Sequence, residues 1–289
     1  MLIRIDKYLA DAGLGTRSAV QELLRKGRVR VNGETVKDGK LKIDPDTAEV
    51  TMDGKPVCYE EYSYYIFNKP AGILSASRDK KEKTVIDLIP QPRPRELFPV
   101  GRLDRDTVGL LLITNDGDLS HRLLSPGKHV PKTYRVMVRG RLPENAEQRF
   151  AKGIDIGDEK PTAPAKYVYL GEKTAELVYQ SVKSGENGRV EDKTPELGCQ
   201  AEKTVENGQN PVENGRGEEE AHLSEILLTL TEGRYHEVKR MISALGCEVV
   251  ELERISMGGL ELPGDLPRGG VRKINSEELK KLLDFEDRV

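Results

Sequence analysis

Apolar positions in the first 57 residues change their period twice. Ile5, Leu9 and Ala12 recur at helical spacing, and Ser18, Ala19, Val20, Leu23 and Leu24 continue a second helical run. Thr16-Arg17-Ser18 supplies a cap for that second helix and Gly27 a stop. Arg28-Val29-Arg30-Val31 then alternates as a strand does, and Asn32-Gly33 is a hairpin turn signal. A further strand, Glu49-Val50-Thr51-Met52, runs into Asp53-Gly54. The pattern predicts a small unit of two helices and a short sheet over 1–57, with 58–63 as a linker.

From residue 64 the pattern mixes short strands with helices. Tyr65–Lys69 reads as a strand stopped by Pro70. A polar loop leads into the apolar run Val108–Ile113, closed by Asn115-Asp116-Gly117. Helices are expected over Asp118–Leu124, Asn145–Gly153 and Tyr235–Leu245. In the last of these Gly233 opens the segment, Val238, Met241, Ile242 and Leu245 share an apolar face, and Gly246 ends it. Strands are expected at Lys132–Val138, Ala175–Val182 and Leu223–Leu230, and a final helix from about Ser276. Such a mixture is α+β, with one larger domain over 64–289.

Residues 184–220 interrupt that domain. They contain no aromatic residue and repeat Val-Glu-Asn-Gly at 205–208 and 212–215. The segment cannot bury enough apolar surface to offset its ordering entropy, so it reads as a disordered acidic insertion. It holds ten acids against four bases, a local charge of −6, within a chain whose net charge is −3. The remainder therefore carries +3, and local patches, not the global balance, govern what the protein binds. Bases collect on the second helix and the strand after it, at Arg17, Arg25, Lys26, Arg28 and Arg30, where only Glu22 is acidic across 16–31. Arg17, Gln21, Arg25 and Arg28 present one face of that segment, either an ordinary solvated face or a row of phosphate donors.

Several classes of function are excluded. Cys58, Cys199 and Cys247 are odd in number and far apart, which rules out a disulfide framework and a paired-cysteine metal clip. The four histidines, His121, His129, His222 and His236, lack metal-ligand spacing, so no metal is expected. No run approaches the ~20 apolar residues of a membrane span. The opening MLIRIDKYLADAG has no signal-peptide core, so a cytoplasmic location is expected.

Three separated pieces carry chemistry. Gly-Arg-Leu-Asp at 101–104 places Asp104 in a polar loop at the edge of a buried strand. Lys132-Thr133-Tyr134 begins a strand after a basic lead-in. Glu232-Gly233-Arg234-Tyr235-His236-Glu237-Val238-Lys239-Arg240-Met241 joins a basic turn to an amphipathic helix that leaves Lys239 at the border of its apolar face. Together, and in this order, they resemble the RNA pseudouridine synthases. The helix-and-strand pattern of residues 1–57 is similar to the S4 RNA-binding domain. The Tyr235-His236 and Lys239-Arg240 forms of the third piece resemble the RsuA-type branch, which modifies a uridine of small-subunit (16S) ribosomal RNA.

The resemblance implies a mixed, largely antiparallel sheet bearing a cleft in which Asp104, Tyr134 and Lys239 meet. It implies that Asp104 is the catalytic carboxylate, that Tyr134 stacks on the target nucleotide, that Lys239 pairs with Asp104, and that Arg102 holds the RNA in its flipped state. Arg17, Arg25, Lys26, Arg28, Arg30, Lys69, Arg234 and Arg240 are the further expected RNA contacts, with Gly72 near the site. Asp106, Asp116 and Asp118 read as turn and cap residues, and His121, His129 and His236 as RNA-contacting or surface residues. The reaction cleaves the N1–C1′ bond of uridine, turns the base and rejoins it through C5. Every atom is kept, so no cofactor is expected. A base must leave its stack to be reached, and a carboxylate beside C1′ or C6 acts either as nucleophile or by stabilising a cationic or glycal intermediate. The expected partner is ribosomal RNA or an assembling subunit, and the expected state is a monomer. The competing readings are a synthase for large-subunit (23S) RNA, a non-catalytic S4-type assembly factor, and a hydrolase using Asp104 with His236.

Overall fold

The computed structural model describes residues 2–59, 61–90, 96–173 and 222–284. Strand β1 (Ile3–Arg4) leads into helix α1 (Ile5–Asp11), and helix α2 (Arg17–Arg25) follows a short turn. Thr16 caps α2, its Oγ1 accepting the Ala19 N–H at 3.2 Å. Gly27 ends it at φ +70°, a conformation that costs glycine little. Strands β2 (Val29–Val31) and β3 (Glu34–Thr35) form the hairpin expected at Asn32-Gly33. Strand β4 (Lys42–Ile43) pairs with β1, while β5 (Val50–Met52) and β6 (Lys55–Pro56) extend the β2–β3 sheet. Ile5, Leu9, Val20, Leu24 and Val29 are wholly buried between these helices and strands. Each such side chain contributes roughly 1.5–3 kcal/mol of burial. Because Val20 and Leu24 turn inward, Arg17, Gln21 and Arg25 turn to solvent.

The stretch read as a linker is pinned at both ends. The Tyr8 hydroxyl donates to the Val57 carbonyl at 2.8 Å, and the Tyr8 ring stacks on Tyr59 at 5.0 Å. Asn115 accepts the Ser63 N–H at 2.7 Å and donates to the Glu61 carbonyl at 3.1 Å.

The larger part is built on one sheet. Its strands are β7 (Tyr64–Lys69), β8 (Phe98–Pro99), β9 (Val108–Thr114), β10 (Lys132–Arg139), β11 (Lys166–Lys173), β12 (Leu223–Leu230), β13 (Glu248–Met257), β14 (Leu260–Glu261) and β15 (Val271–Lys273). Their order is β11-β12-β10-β13-β9-β7-β15, with β8 beside β9 and β14 beside β13. Among the described strands only β13 and β9 run parallel, so the sheet is mixed and largely antiparallel. Helices α3 (Gly117–Leu124), α4 (Ala146–Lys152), α5 (Glu237–Ser243) and α6 (Ser276–Asp284) pack on it. Every residue of β9 is buried, as befits a central strand covered on both faces. Leu110 and Leu112 join one core with Ile66, Leu119 and Leu282, while Leu111 and Ile113 join another with Phe67 and Val85. A third core sets Val136, Phe150, Leu228, Met241 and Ile242 between β10, β12, α4 and α5.

Several elements differ from the pattern read along the chain. Strands β11 and β13 stand where the pattern marks no element, yet both pair along their length, and β11, without a buried residue, is held by its backbone partners on β12. Helix α5 begins at Glu237, not near Tyr235, because His236 takes a left-handed conformation at φ 49°. The expected strand at 175–182, the acidic insertion and Cys199 lie outside the described residues. Among the described residues no helix is long and apolar enough to cross a membrane.

Candidate active site

The loop from Arg102 to Thr107 connects β8 to β9, and its path is held from below. Lys69, the last residue of β7, is wholly buried. Its ammonium donates to the carbonyls of Pro70, Asp104 and Arg105 at 3.1 Å each and to that of Thr107 at 2.9 Å. Burial pulls the Lys69 pKa down to about 8, which leaves the charged form dominant at neutral pH. A side chain without exposed surface does not reach RNA, so Lys69 is the internal brace of the loop and not one of its RNA contacts. Ser75 adds a reciprocal pair, donating to the Leu103 carbonyl at 2.8 Å and accepting its N–H at 3.1 Å. The Gly72 N–H donates to the Arg105 carbonyl at 2.8 Å.

The far end of the loop enters β9 where β9 meets β13. Gly109 sits there at φ +97°, and a Cβ on it would lie 2.4 Å from the Arg254 carbonyl oxygen. Only glycine allows the two strands to approach so closely. The parallel pairing of Val108 with Glu253 and Gly109 with Arg254 thus brings the Asp104 loop beside β10 and α5.

Asp104 meets two side chains from the third motif. The Lys239 ammonium lies 3.5 Å from its Oδ2, and His236 Nε2 lies 3.6 Å from its Oδ1. Lys239 also donates to both oxygens of Asp106, at 2.6 and 2.7 Å. The expected Lys239–Asp104 pair is therefore a shared one, and Asp106 is a partner in the site instead of only a turn residue. The turn explains this. The Thr107 N–H donates to the Asp104 carbonyl at 3.2 Å, which points residues 104 and 106 toward the same cation. Burial raises the Asp106 carboxyl, but the Lys239 ammonium outweighs it and holds the group below its ordinary range.

Tyr134 completes the cleft. It lies on β10 beside a register shift against β13, half-buried between two cores. The cleft has a volume of about 90 Å³, lined in part by Arg102, Asp104, Thr107, Tyr134, Gly233 and His236. A larger cavity of about 570 Å³, lined by Asn68, Thr133, Arg135 and Glu253, opens on the opposite side of β10, to which Thr133 points and Tyr134 does not.

Glu237 is the group that sequence reasoning missed. It is buried beside the cleft, where its Oε2 accepts the Arg234 N–H at 2.9 Å. Burial pushes its carboxyl up to about 7, and neighbouring Glu232 adds to that rise. The Thr107 hydroxyl in the same cleft lacks a partner among the described residues.

The remaining expected RNA contacts divide by what already engages them. Arg17, Arg30 and Arg102 are exposed and make no ion pair among the described residues. Among the described residues Arg25 donates only to the Gln21 carbonyl, at 3.4 Å. Lys26 pairs with Glu22 at 2.7 Å, and Arg28 pairs with Asp53. Arg234 is taken up by Glu232, Asp158 and the carbonyls of Lys160 and Pro161. Arg240 holds Asp158 and the Ile156 carbonyl. Both guanidiniums clamp the 156–161 loop to the start of α5. Asp116 caps α3 as expected, accepting the Leu119 N–H at 2.9 Å.

Comparison with known proteins covers both parts of the chain. The profile of the RNA pseudouridylate synthase family matches residues 63–244, and that of the S4 domain matches residues 3–48. A Bacillus subtilis (strain 168) protein described as "Uncharacterized RNA pseudouridine synthase YtzG" is 40% identical over 97% of this chain and 98% of its own. Ribosomal small subunit pseudouridine synthase A of Escherichia coli (strain K12) is 31% identical over 97% and 100% of the two chains. Ribosomal large subunit pseudouridine synthase B of Bacillus subtilis (strain 168) is also 31% identical, over 98% and 97%. A crystal structure of a pseudouridylate synthase, 31% identical, superposes with a TM-score of 0.56 over 97% of this chain and 99% of the other.

Proposed function

Because this chain belongs to the RNA pseudouridylate synthase family and begins with an S4 domain, we propose that it isomerises one uridine of small-subunit ribosomal RNA to pseudouridine, with Asp104 as the catalytic carboxylate. The observation that carries this reading is the meeting of Asp104, Lys239 and His236 beside Tyr134 in one cleft. A flipped uridine entering there would place its ribose and N1 edge against Asp104. The carboxylate attacks, or stabilises the sugar as the N1–C1′ bond breaks. Tyr134 offers a flat face to the base, a contact worth ~1–3 kcal/mol in comparable sites. Lys239 supplies positive charge beside the carboxylate and steadies its rotamer. Arg102 lies at the rim, where it meets phosphate. Arg17, Arg25 and Arg30 supply a second phosphate-binding surface. On this reading the protein works as a monomer in the cytoplasm, on RNA or an assembling subunit.

A large-subunit target is the second reading, supported by the equal identity to a large-subunit enzyme. One experiment separates the two. Purified protein and its Asp104→Asn variant are incubated with small- and large-subunit ribosomal RNA, and pseudouridine is mapped in both. The expected result is one new site in small-subunit RNA, absent with Asp104→Asn although that variant folds and binds RNA. A site in large-subunit RNA overturns the choice of target. Activity in the variant overturns the role of Asp104. RNA binding without any modification supports the assembly-factor reading.

A further inference from the structure

Tyr235 is 70% exposed, the most exposed of the large hydrophobic side chains described. An aromatic ring so placed adds little to the fold. One of its faces is nevertheless covered, because it stacks on the His236 ring at 3.9 Å with an interplanar angle of 16°. His236 in turn reaches Asp104, its Nε2 lying 3.6 Å from Oδ1. The chain holds this arrangement against its own preference, since His236 is a non-glycine residue at φ 49° and ψ 34°. The turn is clamped on both sides. The Arg240 guanidinium donates to the Tyr235 carbonyl at 3.3 Å, and the Arg234 N–H donates to Glu237 at 2.9 Å. A strained, clamped turn that displays one free aromatic face at the mouth of a cleft is a stacking surface.

We propose that the Tyr235–His236 stack is the platform for the nucleotide next to the flipped uridine, seating the RNA strand at the mouth of the cleft that holds Asp104. The proposal deepens the synthase reading and rests on it. When the uridine leaves its stack, its neighbour loses a stacking partner, and that loss opposes flipping. The free face of Tyr235 replaces the partner. Stacking is indifferent to base identity, so the platform recognises an unpaired nucleotide, whereas the target itself is chosen elsewhere.

The test compares wild type, Tyr235→Ala and Tyr235→Phe on in-vitro transcribed small-subunit ribosomal RNA. Dissociation constant, KM and kcat for pseudouridine formation, and melting temperature are measured for each. Loss of one stacked base predicts that Tyr235→Ala raises the dissociation constant and KM by about 5- to 150-fold. Its melting temperature should stay close to that of wild type. Tyr235→Phe keeps the ring and should restore binding to within about two-fold. On RNA made abasic at the position beside the target, the penalty of Tyr235→Ala should vanish for one neighbour, which identifies the side that stacks. Unchanged binding by Tyr235→Ala overturns the platform. So does failure of Tyr235→Phe to restore binding, or a penalty that persists with either neighbour abasic. If wild type binds this RNA but modifies no uridine, the choice of substrate falls, while the comparison of binding between variants still decides the platform. Absence of binding by wild type sinks both.

Discussion

At the scale of single residues, the site turns on one cation between two carboxylates. Lys239 lies 2.6 Å from Asp106 and 3.5 Å from Asp104. The Asp106 side chain is 71% exposed and that of Asp104 30%, so water screens the shorter contact more. On the proposed function, RNA closing over the cleft removes that water and strengthens what remains beside Asp104. Lys239→Ala should therefore lower turnover by on the order of tenfold, the factor that a loss of ~1.4 kcal/mol of differential interaction gives, with little change in RNA affinity. Single-turnover rates and dissociation constants measured together check this, and an equal loss in both would make Lys239 a phosphate contact. Asp104 and Lys239 were legible in the sequence through their motifs. The share taken by Asp106 was not, because it depends on the turn that aims both carboxylates the same way.

At the scale of elements, the start of α5 carries the pH dependence. Burial raises the Glu237 carboxyl to about 7, well above its ordinary range. The folded state thus binds that proton more tightly than the unfolded state. Its stabilising contribution is complete below the ordinary carboxyl range and is lost as pH rises to about 7. Glu237→Gln keeps the shape and the acceptor for the Arg234 N–H but does not titrate. Relative to this variant, wild type should lose roughly 1–3 kcal/mol between about pH 5 and 8. Denaturant unfolding at both pH values measures the difference, and parallel curves would show that Glu237 does not titrate on folding. This group escaped sequence reading because a glutamate in an amphipathic helix looks solvated until the packing around it is known. The same limit hid β13, whose sequence Glu-Val-Val-Glu-Leu-Glu-Arg carries charge into the middle of the sheet. Its acids find partners there, Arg135 at 3.3 Å and Arg268 at 3.2 Å from Glu253, which is why a charged strand is tolerated.

At the scale of the whole molecule, the proposed function has two basic surfaces serve one RNA. Arg17 and Arg30 belong to the first part and Arg102 to the second, and each is exposed without an ion pair among the described residues. Removing phosphate contacts far from the cleft weakens binding without touching chemistry. The double variant Arg17→Ala, Arg30→Ala should bind ribosomal RNA about tenfold more weakly at moderate salt, with a log–log salt slope smaller by about two and kcat retained at saturation. Binding isotherms at several salt concentrations test this, and an unchanged slope would mean that neither side chain meets phosphate.

The sequence by itself determined the local elements with strong period or caps, α2 with Thr16 and Gly27, β9 with its unbroken apolar run, and α3 with Asp116, because those signals act between near neighbours in the chain. It also named the motifs from which the family follows. Tertiary structure alone decided that Lys69 braces the Asp104 loop, that Gly109 admits the Arg254 carbonyl, and that His236 and Asp106 join Asp104 and Lys239. Each of these depends on strand order and on the parallel pairing of β9 with β13, and a side chain's burial and its partners across the sheet are properties of that arrangement, not of the residue.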